Sequence, residues 1–273
     1  MIKLGLIGYP VSHSLSPKIH NAALKACGLE GEYSLFPIAS DDRQGLRDLL
    51  DRVRSGEMTG LNVTIPHKQN VIQFLDDLTP TAKAIGAVSV IYLRDHKLIG
   101  DNADAHGFLT DLKNVFDFSS LVIPPSALIL GAGGSARAVV YALLKDGWNV
   151  TIAARRMEQA QELTMQFEKT NAIELDLQTL QLSNFQLIVN TTPLGMTPNI
   201  YASPLPENIV LPSRVNVYDL IYNPRETKLV RDARSQGLTA TDGLGMLIEQ
   251  AALGFELWTG YKLSSEIFRN AVE

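Results

Sequence analysis

Residues 127–138 read Ala-Leu-Ile-Leu-Gly-Ala-Gly-Gly-Ser-Ala-Arg-Ala, and this stretch decides the fold of the second half of the chain. An apolar run long enough for a buried strand is followed by a glycine turn and a helix-forming segment. Gly131 permits a tight turn, and Gly133 lets the backbone approach a pyrophosphate. The start of the helix near Gly134 offers N–H groups to an anion. This order predicts a dinucleotide-binding unit.

The residues between these glycines complete the predicted phosphate-binding turn. Ala136 stands where such turns have their third glycine, and its small side chain still allows the helix to pack closely on the strand. We therefore expect the whole turn to contact the cofactor: Gly131, Ala132, Gly133, Gly134, Ser135 and Ala136.

The next predicted strand, at residues 149–153, leads into Arg155 and Arg156. A site for NAD usually carries an acidic side chain here, where it binds the ribose hydroxyls. In this chain no Asp or Glu occurs before Glu158. Because guanidinium groups make paired, charge-assisted contacts with phosphate oxygens, the two arginines favour a ribose 2′-phosphate and hence NADP. The alternative is a pair of solvated surface arginines.

Beyond this unit, short β-branched runs alternate with helical patterns along the whole chain. The alternation predicts an α/β protein with largely parallel sheets. We predict strands at 2–7, 32–37, 60–63, 89–93, 127–130, 149–153, 187–190, 215–219 and 238–240. We predict helices at 17–27, 44–55, 80–85, 105–115, 135–145, 157–169, 228–236 and 246–259.

The composition is that of an ordinary globular protein. The 273 residues are 45% hydrophobic and 19% charged, a length typical of about two domains. With 24 basic and 29 acidic residues, the charge is −5 and no basic tract occurs, so we expect neither a nucleic-acid nor a membrane partner. The sequence shows no membrane-spanning run and no signal peptide, which favours the cytoplasm. The single cysteine excludes an internal disulfide, and the scattered histidines lack metal-ligand spacing.

A polar loop directly follows the first predicted strand. Residues 8–21 read GYPVSHSLSPKIHN. Ser14 and Ser16 alternate in an extended segment, so both could face one polar small molecule. Pro17 is expected in the first turn of a helix that Ser16 caps. The alternative is a solvated serine-rich loop with an ordinary helix cap.

Two further segments supply a lysine and a carboxylate. Residues 62–68 read NVTIPHK and place Thr64 and Lys68 near the carboxyl end of a strand, where ligands of open α/β sheets collect. Residues 100–107 read GDNADAHG, in which Asp104 either caps the next helix or directs its carboxylate into a cleft. Beside a nicotinamide, a lysine–carboxylate pair can move a proton while a hydride moves. Lys68 and Asp104 are the predicted catalytic residues.

With these motifs the chain resembles the shikimate dehydrogenase family over essentially its whole length. The resemblance rests on seven ordered motifs: GYPVSHSLSPKIHN, NVTIPHK, GDNADAHG, GAGGSARA, NTTPLGM at 190–196, YDLIYNP at 218–224 and GLGMLIEQAALGFELWTG at 243–260. It implies reversible, NADPH-dependent reduction of 3-dehydroshikimate to shikimate, a step in the biosynthesis of aromatic amino acids. It also implies that no metal takes part.

The resemblance implies roles for individual residues. The expected substrate-binding residues are Ser14, Ser16, Thr64, Ser89, Tyr222 and Gln250. Three residues are expected along the cofactor, namely Asn190, Thr191 and Met196, and Gly243 is expected beside the nicotinamide. His13 is expected to organise the serine loop, and His67 to be a variable surface position.

The resemblance further implies two open, mainly parallel α/β domains, of which the second is a Rossmann-type dinucleotide-binding domain. We predict a substrate-binding and catalytic domain at residues 1–101 plus 242–273, and an NADP-binding domain at 102–241. Both ligands would occupy the cleft between the domains, with hinges near Asp101 and Asp242. The expected assembly is a monomer or a homodimer that binds shikimate or 3-dehydroshikimate.

Three segments depart from the family pattern. Ser89 replaces an asparagine that bonds a substrate hydroxyl, which leaves the choice of substrate open. Ala103 and Ala105 flank Asp104 where the family has threonine and glycine. Gln159 stands where a second phosphate-binding arginine often occurs, and Arg156 would compensate. Two alternatives remain: a quinate/shikimate dehydrogenase that uses NAD, and a module that senses a shikimate-type ligand without turnover.

Overall fold

The structure is a computed structural model that describes residues 1–119, 124–174, 181–207 and 209–273. The chain forms two compact units. Unit 1 comprises Met1–Gly107 and Ile248–Glu273, and unit 2 comprises Phe108–Leu247. Each unit contains a mainly parallel six-stranded sheet, which confirms the predicted α/β fold class.

The sheet of unit 1 is built around its first strand. Its strands are β1 (Ile2–Gly8), β2 (Gly31–Pro37), β3 (Gly60–Val63), β4 (Asp77–Leu78), β5 (Val90–Arg94) and β6 (Lys97–Asp101). Their order across the sheet is β2-β1-β3-β5-β6-β4. β1 is parallel to β2 and β3, whereas β5 is antiparallel to β3 and β6. The loops after β1 and β3 therefore leave the sheet at the same edge.

The sheet of unit 2 is parallel throughout the described strands. These are β7 (Ser126–Leu130), β8 (Asn149–Ala154), β9 (Thr170–Glu174), β10 (Leu187–Asn190), β11 (Asn216–Asp219) and β12 (Ala240–Thr241). Their order is β12-β11-β10-β7-β8-β9. This is the doubly wound order of dinucleotide-binding domains, with the chain reversing direction across the sheet between β7 and β10.

Helices connect the strands. They are α1 (Ser16–Ala26), α2 (Arg43–Arg54), α3 (His67–Asn70), α4 (Pro80–Ile85), α5 (Asp104–Val115), α6 (Gly134–Lys145), α7 (Met157–Gln166), α8 (Lys228–Ser235), α9 (Leu244–Thr259) and α10 (Ser265–Arg269). Residues of α5 and of α9 belong to both units. Within the described parts of the chain, none of the helices combines the length and apolar character needed to cross a membrane.

Each unit buries its own apolar core. In unit 1, Ile7 of β1 and Leu61 of β3 pack with Leu50 of α2. In unit 2, Leu128 of β7 and Val217 of β11 belong to a second cluster that includes apolar residues of α8. All four residues of β3 are buried, as expected for a strand covered on both faces.

An aromatic cluster in unit 1 joins the two chain segments of that unit. His20 of α1 stacks on Tyr33 of β2 with ring centroids 4.5 Å apart, and it lies 5.3 Å from the Trp258 ring and 6.3 Å from the Phe268 ring. The Trp258 indole N–H donates to the carbonyl of Ile91 at 3.0 Å. The C-terminal segment is therefore part of the core of unit 1.

Two predictions about side chains are wrong. Ser16 does not cap α1: it is the first residue of the helix, and its N–H donates to the hydroxyl oxygen of Ser14 at 3.2 Å. His67 is not a surface residue, because it is only 1% exposed and its Nε2 lies 2.7 Å from the carbonyl of Ile38. The short helix α3 begins at His67, and the ring is directed to the protein interior.

Candidate active site

Two polar segments of unit 1 leave the sheet side by side. The loop after β1 carries Ser14 and Ser16. The turn after β3 carries Thr64 and leads to Lys68. Because β1 and β3 are parallel neighbours, their carboxyl ends lie together, and the Thr64 N–H donates to the carbonyl of Ile7 at 2.9 Å. Open α/β sheets bind ligands at this kind of edge.

Lys68 and Asp104 form a buried ion pair at this edge. Lys68 Nζ lies 2.6 Å from Asp104 Oδ2, and the two side chains are only 11% and 6% exposed. In such sheltered surroundings, solvent screens the attraction less than it does at the surface. The structure thus brings together the two residues predicted to be catalytic, which stand 36 positions apart in the sequence.

Asn102, rather than Asp104, caps the start of α5. Its Oδ1 accepts hydrogen bonds from the N–H groups of Asp104 at 3.0 Å and Ala105 at 3.3 Å. Its own amide donates to the carbonyl of Ala87 at 2.9 Å. Of the two predicted possibilities for Asp104, the geometry excludes a plain cap, because Asn102 has that role. That the carboxylate is directed into a cleft stays a prediction.

Ser89 supports the same turn from within the protein. It is 2% exposed, and its hydroxyl oxygen accepts the N–H of Ala103 at 2.9 Å. Ala103 immediately precedes Asp104, so this hydrogen bond helps to fix the start of α5. The structure therefore gives Ser89 a contact that the sequence did not predict, one residue away from the ion pair.

The other predicted substrate residues of unit 1 are partly or largely buried. The Ser14 hydroxyl donates to Ser16 Oγ at 3.1 Å, so the two hydroxyl groups lie together. The predicted extended segment is wrong, because Leu15 has helical backbone angles and Ser16 begins α1. Ser16 is 5% exposed, and Gln250, in α9, is 8% exposed. Thr64 is half-buried. Their roles as substrate ligands stay predictions.

In unit 2 the glycine turn follows β7, at the point where the strand order reverses. Gly131 has a φ of +109°, and a Cβ there would lie 2.7 Å from Thr191 Oγ1, so both conformation and space require glycine. Gly133 has an ordinary negative φ, and a Cβ there would meet no protein atom within 4 Å. No contact inside the described structure therefore requires glycine at position 133, and the space beside it is open.

The same turn presents the start of α6. Gly133 is the N-cap of this helix, and because it has no side chain, none caps the first N–H groups from this position. The N-terminal end of a helix carries a partial positive charge and exposes N–H groups, which together favour a phosphate. Ala136, in place of a third glycine, is completely buried. Ala132, Gly134 and Ser135 are half-buried. These residues fit a pyrophosphate.

Arg155 and Arg156 follow directly after β8. Both side chains are exposed, and Arg156 is the N-cap of α7. The carboxyl end of this strand is where the ribose of a dinucleotide lies in doubly wound domains. Two exposed cations at this place suit a phosphate on that ribose better than an uncharged hydroxyl pair.

Asn190, at the end of β10, has its amide fully engaged inside unit 2. Nδ2 donates to Asp219 Oδ1 at 2.9 Å and to the carbonyl of Leu194 at 3.3 Å. Oδ1 accepts from the N–H and the hydroxyl of Thr192 at 2.9 and 2.7 Å. Asn190 is also completely buried. Its side chain therefore orders the following loop, and a direct side-chain contact with a cofactor is not supported by this geometry.

The loop after β10 carries two more predicted cofactor residues. Thr191 donates its hydroxyl to the carbonyl of Leu130 at 2.8 Å and thus ties this loop to the glycine turn. Met196 is 40% exposed, which is high for a large apolar side chain in this unit. An exposed thioether suits contact with a flat ring.

Tyr222 and Gly243 complete the predicted residues in unit 2. Tyr222 is half-buried in the loop after β11. Gly243 donates its N–H to the carbonyl of Ile221, and a Cβ there would lie 2.1 Å from the carbonyl oxygen of Leu220. Packing against this loop thus requires glycine at position 243, independently of any contact with a cofactor.

Sequence reasoning missed the roles of Asn102 and Asp219. Asn102 stands two residues before Asp104, a spacing typical of a side chain that caps a helix, so a closer reading of the motif would have indicated it. Asp219 lies inside the motif YDLIYNP, but nothing in the pattern shows that it is buried. Among the described residues, no group of three His, Cys, Asp or Glu side chains could hold a metal ion.

Three family models match successive parts of the chain. The model described as shikimate dehydrogenase substrate binding domain matches residues 6–91, and the model described as shikimate/quinate 5-dehydrogenase matches residues 121–201. The model described as shikimate 5′-dehydrogenase C-terminal domain matches residues 243–273.

Individual relatives are similar over nearly their full length. The chain is 38% identical to the shikimate dehydrogenase (NADP(+)) of Methanococcus maripaludis over 98% of this chain and 95% of the relative. A crystal structure of shikimate dehydrogenase in complex with NADP+ has a TM-score of 0.90 and 38% identity, covering 99% of this chain and 94% of that one. The shikimate 5-dehydrogenase of Thermus thermophilus in complex with NADP(H) and shikimate has a TM-score of 0.87 and 36% identity, covering 99% and 98%.

Proposed function

The chain belongs to the shikimate dehydrogenase family, and on that premise we propose that it catalyses the reversible, NADPH-dependent reduction of 3-dehydroshikimate to shikimate. The reaction is a step in the biosynthesis of aromatic amino acids. The observation that carries the proposal is the buried ion pair of Lys68 and Asp104, 2.6 Å apart at the ligand-binding edge of unit 1. Ketone reduction needs a proton donor held in this way.

The reaction adds a hydride to the ketone carbon and a proton to its oxygen. NADPH, when bound, supplies the hydride. Lys68 binds the ketone oxygen and polarises the carbonyl group, and the Lys68–Asp104 pair delivers the proton. Asp104 also orients the ammonium group and accepts a hydrogen bond from a ring hydroxyl. In the direction of oxidation, the same pair takes the proton from the hydroxyl of shikimate.

Unit 1 binds the substrate. Ser14 and Ser16 bind the carboxylate through their adjacent hydroxyl groups, whose oxygen atoms are 3.1 Å apart. Thr64 and Gln250 bind ring hydroxyls. Tyr222, a residue of unit 2, is a further proposed ligand of a ring hydroxyl. Ser89 takes part by holding the start of α5, which its hydrogen bond to the N–H of Ala103 supports.

Unit 2 binds NADP. The pyrophosphate lies against the turn from Gly131 to Ala136 and the start of α6, because the open space at Gly133 admits it. Arg155 and Arg156 bind the 2′-phosphate, and their exposure at the end of β8 supports this. Thr191, Met196 and Gly243 lie along the remainder of the cofactor, and Asn190 acts by ordering their loop.

The expected partners are small molecules only. A formal charge of −5 without a basic tract supports the absence of nucleic-acid and membrane partners. We further propose that the protein works in the cytoplasm as a monomer or a homodimer.

Steady-state assays with shikimate and quinate, each with NADP and with NAD, test the proposal. We expect the highest kcat/KM for shikimate with NADP. A preference for quinate or for NAD would instead favour the NAD-using quinate/shikimate dehydrogenase. Shikimate binding by calorimetry without any turnover would favour a sensing module.

A further inference from the structure

Asp219 is a completely buried carboxylate at the end of β11 that the reaction itself does not use. Its two oxygens accept hydrogen bonds from three neutral donors. These are the amide of Asn190 at 2.9 Å, the N–H of Ile221 at 3.1 Å and the hydroxyl of Thr227 at 2.7 Å. A buried carboxylate surrounded by neutral groups costs stability, so its presence calls for a reason other than packing.

The first of these donors leads to the loop after β10. With Nδ2 held by Asp219, Asn190 directs its Oδ1 to the N–H and the hydroxyl of Thr192. The Thr192 hydroxyl in turn accepts the N–H of Leu194 at 3.2 Å. A continuous chain of hydrogen bonds therefore runs from the Asp219 carboxylate into the loop that contains Thr191 and Met196.

The hydroxyl donor, Thr227, supports the far end of the same loop. Thr227 caps α8 and donates a hydrogen bond from its hydroxyl to Asp219. Gly195 lies directly on it, since a Cβ there would lie 3.6 Å from Thr227 Cβ and 3.2 Å from the carbonyl oxygen of Ala202. The remaining donor, the N–H of Ile221, fixes the loop after β11. In that loop the carbonyl of Ile221 accepts the N–H of Gly243.

We propose that Asp219 is a positioning residue for the cofactor: its ionised carboxylate holds Asn190 and Thr227 and so fixes the loop from Thr191 to Met196. The inference rests on the proposed function, in which this loop lies along NADP. Asp219 does not touch the cofactor and acts only through the groups it holds.

The surroundings of Asp219 make this device sensitive to acid. Burial raises the pKa of Asp219 to about 6, although its three hydrogen bonds act in the opposite direction. The neighbours are Asn190 on β10, Thr227 before α8 and the carboxylate of Asp242 before α9, which raises the pKa further. Asp242 is itself paired with Arg225 at 2.8 Å. Below about pH 6 the carboxyl group gains a proton and loses acceptor capacity, and the loop is held less firmly.

Asp219→Asn tests the proposal, with Asp232→Asn on α8 as the matched control. The readout is the Kd of NADP, measured by fluorescence titration from pH 5 to pH 8. At pH 8 we expect Asp219→Asn to bind NADP about tenfold more weakly than the natural chain, the lower end of what loss of a supporting partner costs. At pH 5 the ratio of the two Kd values approaches one, because both proteins then carry a neutral group. The 2′-phosphate titrates alike in both and cancels in this ratio.

Shikimate affinity, measured without cofactor, separates positioning from damage to the fold. We expect it to fall much less than the affinity for NADP in Asp219→Asn, because Tyr222 alone among the proposed substrate residues lies on a loop that Asp219 supports. Asp232→Asn should match the natural chain throughout. Any of three results would overturn the proposal. These are a ratio of the two NADP Kd values near one at pH 8, a ratio that does not change with pH, and a loss of shikimate affinity equal to the loss of NADP affinity. In the natural chain, the Kd of NAD, which has no 2′-phosphate, should also rise below about pH 6; a flat profile would overturn the proposal without any variant. Failure of the natural chain to bind NADP at any pH would refute the proposed function as well.

Discussion

The hydroxyl of Tyr218 donates a hydrogen bond to the carboxylate of Asp111 at 2.5 Å inside unit 2. Tyr218 lies in β11 and Asp111 in α5, 107 positions apart. Burial, followed by the charge of Asp111, raises the pKa of Tyr218 well above its ordinary value, so this hydroxyl remains a donor. A Cβ at Gly245 would lie 1.8 Å from Asp111 Oδ1. The start of α9 therefore packs directly on this pair.

Tyr218→Phe should destabilise unit 2. The change removes the Tyr218 hydroxyl as a donor to the Asp111 carboxylate, in a residue only 4% exposed. We expect the free energy of unfolding to fall by about 2–3 kcal/mol, the usual cost of losing a buried hydrogen bond to a charged group. Urea denaturation at pH 7.5 measures it. Tyr201→Phe, at a side chain 80% exposed, is the control, and equal midpoints for the two variants would contradict the prediction.

Lys68→Ala should abolish most of the turnover. The variant lacks the positioned proton donor, so we expect kcat to fall by about two to four orders of magnitude. The Kd of NADP should remain within about twofold, because Lys68 lies in the other unit from the glycine turn. Lys25→Ala, at an exposed position of α1, controls for the loss of a charge. Near-normal turnover in Lys68→Ala would refute the assignment.

Ser89 offers a test of positioning against substrate contact. Ser89→Ala leaves the N–H of Ala103 without its acceptor, which displaces Asp104. We expect kcat to fall about tenfold, since small displacements of a reacting group are costly, while the Kd of shikimate barely changes. Ser89→Asn adds volume at a buried position, and we expect it to lower kcat as well. A variant Ser89→Asn that binds shikimate more tightly would show instead that the side chain faces the ligand.

Arg155→Ala should weaken NADP much more than NAD. Each charge-assisted contact with a phosphate contributes about 1.5–3 kcal/mol, and exposure of the arginine shifts the effect to the low end of this range. We therefore expect the Kd of NADP to rise about tenfold and that of NAD to stay constant. The effect should shrink as salt screens the charges. Arg214→Ala, elsewhere on unit 2, serves for comparison. If Arg155→Ala weakened both cofactors alike, the 2′-phosphate assignment would be wrong.

His20 should make unit 1 unstable in acid. Burial lowers the pKa of His20 from 6.5 to about 3, against a smaller opposing effect of Asn62, so the folded protein keeps the ring neutral while the unfolded chain takes up a proton below pH 6.5. The stabilisation is therefore complete above pH 6.5 and is lost as the pH falls towards 3. At pH 5 the loss is about 2 kcal/mol. His20→Phe keeps an aromatic ring and should remove this pH dependence of urea unfolding, whereas His13→Asn, at an exposed site, should retain it. An unchanged pH dependence in His20→Phe would rule out His20 as its source.

The central strands were predictable because their own sequences indicate strand structure without reference to the rest of the chain. Gly60–Val63 and Leu187–Asn190 have the predicted bounds, since short, mainly apolar segments between polar turns are typical of buried strands. β6 was missed because its hairpin turns at Asp95 and His96, which have φ values of +50° and +60° without any glycine to indicate it. β9 was missed because Thr170–Glu174 is only partly buried and shows no regular alternation.

The candidate site was predictable in its residue types but not in its contacts. Lys68 and Asp104 were paired by the chemistry they could perform together, and no spacing rule gives the 2.6 Å between them. At Ser16 and His67, in contrast, the residue was noticed but its structural role was predicted wrongly. At His67 a tertiary contact with the carbonyl of Ile38 decides the side-chain direction. At Ser16 the local hydrogen bond to Ser14 Oγ accompanies a helix that begins one residue earlier than predicted.

The aromatic cluster of unit 1 means that this unit cannot complete its core until synthesis of the chain is nearly finished. Tyr33 and His20 are synthesised early, but Trp258 and Phe268, which pack against them, emerge only after all of unit 2. Unit 2 is a single continuous segment and can fold as soon as it leaves the exit tunnel. The nascent first segment must meanwhile keep its apolar surface from aggregating, so we expect it to be a substrate for chaperones during translation.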